Sequence, residues 1–287
     1  MPNSYVLAAL DAAAAAGALI KTRYRSGFRI DYKADASPVT EVDIAAEQAI
    51  RRVLCRYFPE HGFYGEELGR QRADADFLWL IDPLDGTKAF VRGYPLFSVQ
   101  IALLQAGRIV AAVSHAPCWT GDACSASMAG DQNSRSAGST GETIWAEAGS
   151  GAWRLARIDA DPAAGQRLSC ATTDRLDRTI ASTGNLASLA RGPGWAKLGA
   201  LIPQLHRIRG YGDFLHYHWL ADGRIDAVIE SDVNVLDIAA LSLIVREAGG
   251  VFTDLSGAPV QLTTCSVLAA TPALHPLLLA ELAGGVP

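Results

Sequence analysis

The stretch WLIDPLDGTKAF, residues 79 to 90, decides the reading of this chain. An apolar, strand-like run drives into Asp82 and Asp85, only three apart, and then into glycine and threonine. Two carboxylates that close repel each other unless something cationic sits between them. Hard divalent ions prefer carboxylate and carbonyl oxygen. DPLD offers both, through Asp82, Asp85 and the Leu84 carbonyl, and Pro83 stiffens the turn. Gly86 and Thr87 then open a segment, KAFV, that can turn helical and present free N–H groups to an anion. One dozen residues can therefore supply metal ligands and a phosphate cradle, the parts needed to cleave a phosphate ester. Taken alone, DPLDG also reads as a capped turn.

Composition sets the frame. The 287 residues are 49% hydrophobic and 19% charged, which suits a soluble globule of one unit or two packed lobes. A net charge of −5 and the lack of any basic run argue against a nucleic-acid partner. Five scattered cysteines, without CxxC or Cys/His spacing, signal neither a disulfide framework nor zinc, and fit a reducing cytoplasm. Residues 5 to 20, YVLAALDAAAAAGALI, are apolar but broken by Asp11 and too short to span a bilayer. They read as an amphipathic N-terminal helix, not a leader or an anchor, so no membrane is expected.

Outward from the central motif, apolar periodicity predicts helices over residues 4 to 24 and 41 to 57, the second with Thr40 as N-cap and Asp43 in the capping-box position. FLWLID at 77 to 82 is a buried strand. Residues 98 to 117 read as two strands around QAGR, and 143 to 158 as strand, glycine turn and strand. The glycine- and serine-rich stretch 121 to 142 reads as a mobile loop. Further helices are expected near 174 to 178, over 194 to 209, and over 213 to 223. A strong amphipathic helix is expected over 235 to 250, and a closing helix over 272 to 284. TIASTG, RIDAVIE, VFTDL and SVLAA read as strands. This order favours a layered α/β or α+β architecture. The division expected is an N-terminal lobe over about 1 to 180 and a C-terminal lobe over about 181 to 287.

Other acids recur beside the central motif. Asp35 and Asp43 flank SPVT, GEE puts Glu66 and Glu67 in a loop, and Asp237 opens a helix after DVNV. Each alone has a plain reading as solvated loop or helix cap. Their combination and order resemble the inositol monophosphatase superfamily of Mg²⁺-dependent, Li⁺-sensitive phosphatases. Four stretches carry the resemblance: KADASPVTEVD at 33 to 43, GEE at 65 to 67, WLIDPLDGTKAF at 79 to 90, and VLDIAALSLIVREAGG at 235 to 250.

The resemblance implies an αβαβα sandwich like that of fructose-1,6-bisphosphatase, and often a homodimer. It implies that Glu66, Asp82 and the Leu84 carbonyl hold a first Mg²⁺, and that Asp82, Asp85 and Asp237 hold a second. A third, weaker ion is implied near Glu66. Thr87, bonded to Asp43, would orient and deprotonate the attacking water, and the Gly86 and Thr87 amides would bind phosphate. Glu230, seven residues before Asp237, would contact the substrate's hydroxyls or amine, with Asp213, Thr183 and Asn185 as further contacts. Within the superfamily, GTKAFVRGYP and RGYGDFLHYHWLADGRIDAVIESDVNVLDIAAL look most like the histidinol-phosphate phosphatases. The chain departs from the pattern at Leu236, where tryptophan is usual, and at Ala36, where glycine is common.

His216 and His218, at i and i+2 of a predicted helix, point to different faces and make a poor metal pair. Packing roles are expected for both, with a substrate contact by one of them the sharper alternative. The leading expectation is a Mg²⁺-dependent phosphomonoesterase for histidinol phosphate or an inositol or cyclitol phosphate. The competing expectations are a nucleotide 3′-phosphatase on the same scaffold and a non-catalytic regulatory binding module.

Overall fold

The computed structural model describes residues 2–27, 29–32, 38–119 and 141–282. Asp35, Ala36 and nearly all of the predicted mobile loop lie outside the described residues.

Helix α1 (Ser4–Arg23) is followed by a short hairpin, β1 (Ile30–Tyr32) and β2 (Pro38–Thr40), and by α2 (Glu41–Tyr57). Strands β3 (Gly62–Gly65), β4 (Gly69–Gln71), β5 (Phe77–Asp85), β6 (Ser98–Gln105), β7 (Arg108–Ala116), β8 (Glu142–Glu147), β9 (Gly151–Leu155) and β10 (Gln166–Arg167) form one sheet. Its order is β10-β9-β8-β7-β6-β5-β3-β4. Helix α3 (Thr87–Arg92) sits between β5 and β6. A second sheet runs β12-β11-β13-β15-β14 and is built from β11 (Ile180–Thr183), β12 (Arg207–Arg209), β13 (Ala227–Ser231), β14 (Val251–Thr253) and β15 (Ser266–Ala270). The remaining helices are α4 (Leu186–Arg191), α5 (Trp195–Leu201), α6 (Asp213–Ala221), α7 (Val235–Glu247) and α8 (Leu274–Leu282).

Alternation along the strands shows how these pieces stack. In β5, Trp79 and Ile81 pack with α1 and α2, whereas Leu78 and Leu80 pack with α7. In β15, Val267 and Ala269 face α6 and α7, whereas Leu268 and Ala270 face the outer helices. Successive side chains point to opposite faces, so each sheet has two apolar sides. The result is four apolar clusters between five layers, an αβαβα sandwich.

Helix α7 is not the amphipathic helix its sequence pattern implied. Ten of its residues, from Val235 to Val245, are buried, because the helix lies between the two sheets and is covered on both sides. Leu236, in the place of the usual tryptophan, is packed in the core beside the eight-stranded sheet. The helix expected over 194 to 209 is also broken. Pro203 has no N–H and crowds the preceding turn, so α5 stops at Leu201 and a 3₁₀ turn follows over Ile202–Gln204. Arg207–Arg209 then pairs in parallel with β11 as an edge strand. The helical reading of 174 to 178 shrinks to a 3₁₀ turn over Leu176–Arg178.

Helix α1 is the one helix among the described residues long and apolar enough to cross a membrane by length and composition. Its buried side, including Val6, Leu10, Ala13 and Ile20, packs against α2 and the eight-stranded sheet as part of the core. Cys55, Cys118, Cys170 and Cys265 are free thiols.

Candidate active site

Asp82 and Asp85 lie at the end of β5, where the strand carries an extra residue. Asp82 pairs with Gln100 and Asp85 with Ser98, so three steps on β5 oppose two on β6. In a regular strand, residues three apart point to opposite faces. The bulge shifts the parity and turns both carboxylates to the same side. Pro83 is tolerated there because a bulge leaves a ladder position unpaired. The Leu84 N–H donates to Asp82 Oδ1 at 2.9 Å and locks the turn.

Asp237 comes from across the molecule, at the third position of α7. It closes a capping box with Asn234, accepting from the Asn234 N–H at 2.9 Å and from Asn234 Nδ2 at 2.7 Å. Ligand atoms of Asp82, Asp85 and Asp237 all lie within 4.8 Å of one another. Among the described residues, none of the three is ion-paired with lysine or arginine.

Burial and mutual repulsion raise every one of these acids. Asp82 is pushed well above the usual range by desolvation first, then by Glu66, Asp85 and Asp237. Asp85 is likewise raised well above it by desolvation, then by Asp213, Asp237 and Glu230. Asp237 is pushed up to about 7, chiefly by burial, with Glu66 and Glu230 adding to the rise. Buried carboxylate oxygens that repel one another and converge this closely suit a divalent cation as common partner.

Glu66 follows β3, and its N–H donates to Ile81 O at 3.1 Å. The sequence reading missed the residue that shapes its loop. Glu47 of α2, fully buried, accepts from the N–H groups of Glu67 and Leu68 at 2.8 and 3.1 Å and pairs with Arg51 at 2.7 Å. A Cβ at position 65 would stand 1.8 Å from Glu47 Oε1, so Gly65 is needed for this approach.

Thr87 heads α3. Its hydroxyl lies 3.0 Å from Asp43 Oδ1 and 3.1 Å from the Leu84 carbonyl. Gly86 precedes it with φ +89, and a Cβ there would stand 2.5 Å from the Leu96 carbonyl. Asp43 is the third residue of α2 and closes that helix's capping box with Thr40 at 2.9 and 2.5 Å. Desolvation raises Asp43 above the ordinary carboxylate range, although Thr40 and Thr87 oppose the rise by hydrogen bonding.

Beside the aspartates lies a pocket of about 90 Å³ lined by Asp85, Asp213, Tyr217, Glu230, Asp232 and Asp237 among others. Glu230 accepts from Tyr217 Oη at 2.5 Å and from His216 Nε2 at 3.1 Å. Asp213 is raised to about 6, mainly by burial, with Glu230 adding and His216 opposing. Of the expected contacts, Asp213 and Glu230 reach this pocket. Thr183 is buried at the end of β11, and Asn185 caps α4 while donating to Asp232 at 2.8 Å; neither lines it. Asp232 and Tyr217 are not among the expected site residues, and His216 is expected only as one of two histidines of which one could contact substrate. Asp232 carries a local signal, lying two residues past Glu230, whereas Tyr217, and the choice of His216 over His218, become visible only when α6 packs on β13.

A bulged DPLDGT, a Thr87–Asp43 pair and a distant capping-box aspartate thus meet at one site, and comparison with known proteins covers nearly the whole chain. Residues 2–285 match the description of the inositol monophosphatase family. The chain belongs to that family. As an inositol monophosphatase family member it is a phosphoric monoester hydrolase. It is 36% identical to a histidinol-phosphatase of Mycobacterium tuberculosis over 245 residues, 82% of each protein. It is 32% identical to an inositol-1-monophosphatase of Caulobacter vibrioides over 265 residues, 88% of this chain and 90% of the relative. Among solved structures, the extragenic suppressor protein SuhB of Bartonella henselae superposes with a TM-score of 0.81 at 27% identity, covering 99% of this chain and 100% of the other. The inositol monophosphatase family is one of metal-dependent phosphatases, in keeping with the acidic cluster.

Proposed function

We propose that this family member is a Mg²⁺-dependent phosphomonoesterase whose substrate is histidinol phosphate or a closely similar amino-alcohol phosphate. The carrying observation is the pocket in which Asp213, Glu230 and Asp232 continue directly from the aspartate cluster. Asp82, Asp85 and Asp237 are matched to divalent ions, but the outer three carboxylates call for a cationic head on the substrate. An ammonium supplies one; a neutral polyol does not. The 36% identity to a histidinol-phosphatase supports the same choice.

In this reading Glu66, Asp82 and the Leu84 carbonyl hold one Mg²⁺, and Asp82, Asp85 and Asp237 hold the second, with a weaker third near Glu66. Bound, the ions neutralise phosphate charge and lower the pKa of water. Thr87 presents an oxygen lone pair to the attacking water while its own proton lies on the side of Asp43. The water proton passes to Thr87 as the Thr87 proton passes to Asp43, which its raised pKa favours. The water oxygen bonds to phosphorus, the phosphorus–ester oxygen bond breaks, and the leaving alkoxide takes a proton from a solvent water, whose hydroxide is neutralised by the proton Asp43 gives up. The Gly86 and Thr87 amides face the phosphate, and Glu230 with Asp213 orients the amine. The lobe over about 1 to 180 supplies most ligands and the lobe over about 181 to 287 brings Asp237. A cytoplasmic homodimer sensitive to Li⁺ completes the reading.

Phosphate release from a panel of histidinol, inositol, sugar and adenosine 3′,5′-bisphosphate esters tests it. Histidinol phosphate should give the highest kcat/KM with Mg²⁺, and added Li⁺ should inhibit. A preference for the polyol phosphates would overturn the amine assignment. A preference for the bisphosphate nucleotide would favour the 3′-phosphatase reading.

A further inference from the structure

Helix α6 lies in the middle layer, so residues two apart on it reach different sheets. His216 and His218 are both fully buried and do this. His216 turns to the five-stranded sheet. The Tyr211 N–H donates to Ser182 Oγ at 3.2 Å, leaving the Ser182 hydroxyl proton for His216 Nδ1 at 3.1 Å. The ring proton then sits on Nε2 and is donated to Glu230 Oε2 at 3.1 Å.

His218 turns to the eight-stranded sheet and takes the opposite tautomer. Its Nδ1 faces Glu142 Oε1 at 2.6 Å, so the proton sits there, and Nε2 accepts from Ser114 Oγ at 2.8 Å. With its own proton engaged, Ser114 Oγ is free to accept from Gln100 Nε2 at 3.0 Å. The second N–H of the same amide goes to Ser98 Oγ at 2.8 Å. That leaves the Ser98 proton for Asp85 Oδ2 at 3.3 Å. Ser98, Gln100 and Ser114 are fully buried, so bulk solvent does not reach these bonds.

The Gln100 amide has a second possible orientation, with its oxygen towards the two serines. In the orientation present here, Gln100 Oε1 is buried with no hydrogen-bond partner among the described residues. Turning the amide over would leave its two N–H donors there instead, at greater cost, and the ends of the rail require the same orientation. Glu142 and His218 impose it: they make Ser114 a donor away from Gln100. If the amide turned over, Ser98 would donate to Gln100 and Asp85 would lose its donor.

We propose that His218 is a positioning residue for Asp85, acting through Ser114, Gln100 and Ser98, while His216 separately positions Glu230. The inference rests on the reading of Asp85 as a metal ligand and Glu230 as a substrate contact. Direct hydrogen-bond partners of a metal ligand commonly carry 10- to 100-fold in metal affinity; Ser98 is that partner here, and His218 acts through it.

Glutamine and asparagine substitutions separate this from simple packing, because both shorten the ring but leave a polar atom in different places. His218→Gln keeps an acceptor near Ser114; His218→Asn keeps only the donor to Glu142. The readouts are the Mg²⁺ concentration giving half the maximal rise in melting temperature, and KM for the preferred ester at saturating Mg²⁺. His218→Asn should raise the Mg²⁺ midpoint about tenfold with KM nearly unchanged, and His218→Gln should largely restore it. His216→Asn should raise KM about tenfold and leave the Mg²⁺ midpoint alone, with His216→Gln again restoring. Ser98→Ala cuts the rail at its far end with little loss of volume and should shift the Mg²⁺ midpoint in the same direction as His218→Asn. An unchanged Mg²⁺ midpoint in either Ser98→Ala or His218→Asn, or equal behaviour of the asparagine and glutamine variants, overturns the positioning role. If the wild-type protein itself shows no Mg²⁺-dependent rise, the metal reading falls and takes the inference with it.

Discussion

At the scale of single residues, two aspartates carry sharply different burdens although both sit in capping boxes. Asp43 and Asp237 each hold the third position of a helix, and each accepts from its N-cap backbone. For Asp43 that local role was legible from Thr40 and the spacing, whereas Asp237 reads as the cap itself and the structure gives the cap to Asn234. The partners brought by the fold, Thr87 for Asp43 and Asp82 with Asp85 for Asp237, do not follow from local spacing and are implied only by the family resemblance. Removing the partner should therefore leave folding largely intact and abolish chemistry. Thr87→Ala takes away the hydroxyl between water and Asp43 without touching the aspartate cluster. We expect kcat to fall by about 10²- to 10⁴-fold with the Mg²⁺-dependent melting rise preserved. A kcat within tenfold of wild type would remove Thr87 from the proton path. Asp85→Asn should differ by weakening the Mg²⁺-dependent rise as well as kcat, because one charge leaves the cluster. Full activity in that variant, measured by phosphate release, would sink the metal assignment.

Among the elements, α2 illustrates why a helix can be read correctly and its purpose missed. Its bounds and cap follow from the periodicity of residues 41 to 57 and from Thr40. Glu47, however, looks like any charged residue on a solvated face. The structure instead buries it, with Arg51 and two loop amides as partners. One helix thus supplies Asp43 to the proton path and Glu47 to the loop that carries Glu66. Gly65→Ala tests that link, since its Cβ would drive against Glu47. Displacing a packed, buried group typically costs about 1–3 kcal/mol. The variant should melt lower than wild type, and its Mg²⁺ midpoint should rise because the Glu66 loop moves with Glu47. An equal melting temperature and an unchanged midpoint would show that the loop does not depend on this approach. The bulge in β5 is the opposite case. Its purpose, two carboxylates on one side, was readable from DPLD, but the parity shift that achieves it depends on pairing with β6.

For the whole molecule, the sandwich assembles an acidic centre from segments as far apart as Glu66 and Asp237, and this separation explains what was hidden. Strand and helix types follow from local periodicity. The order β12-β11-β13-β15-β14 and the burial of α7 on both sides depend on long-range packing that one sequence does not reveal. The same assembly makes stability depend on pH and metal together. Asp213 and Asp237 have folded-state values of about 6 and about 7, against an ordinary 3.8. Between about 4 and about 7 the folded protein therefore holds more protons on these acids than the unfolded chain does. Their contribution to stability falls as pH rises through that window. His115, held down to about 4 by burial, works in the opposite sense between about 4 and 6.5. Its contribution is common to metal-free and metal-loaded protein, so the Mg²⁺-dependent difference isolates the carboxylates. Metal needs them deprotonated. With Asp237 near 7, lowering the pH from 7.5 to 5.5 should weaken apparent Mg²⁺ affinity by at least about twentyfold. Melting curves in chelator and in excess Mg²⁺ should show a rise on the order of 5 °C at pH 7.5, shrinking markedly by pH 5.5. A rise of equal size at the two pH values would mean that the aspartates hold no proton the metal must displace. The strain of their apposition would then have to be relieved by some means other than a bound cation.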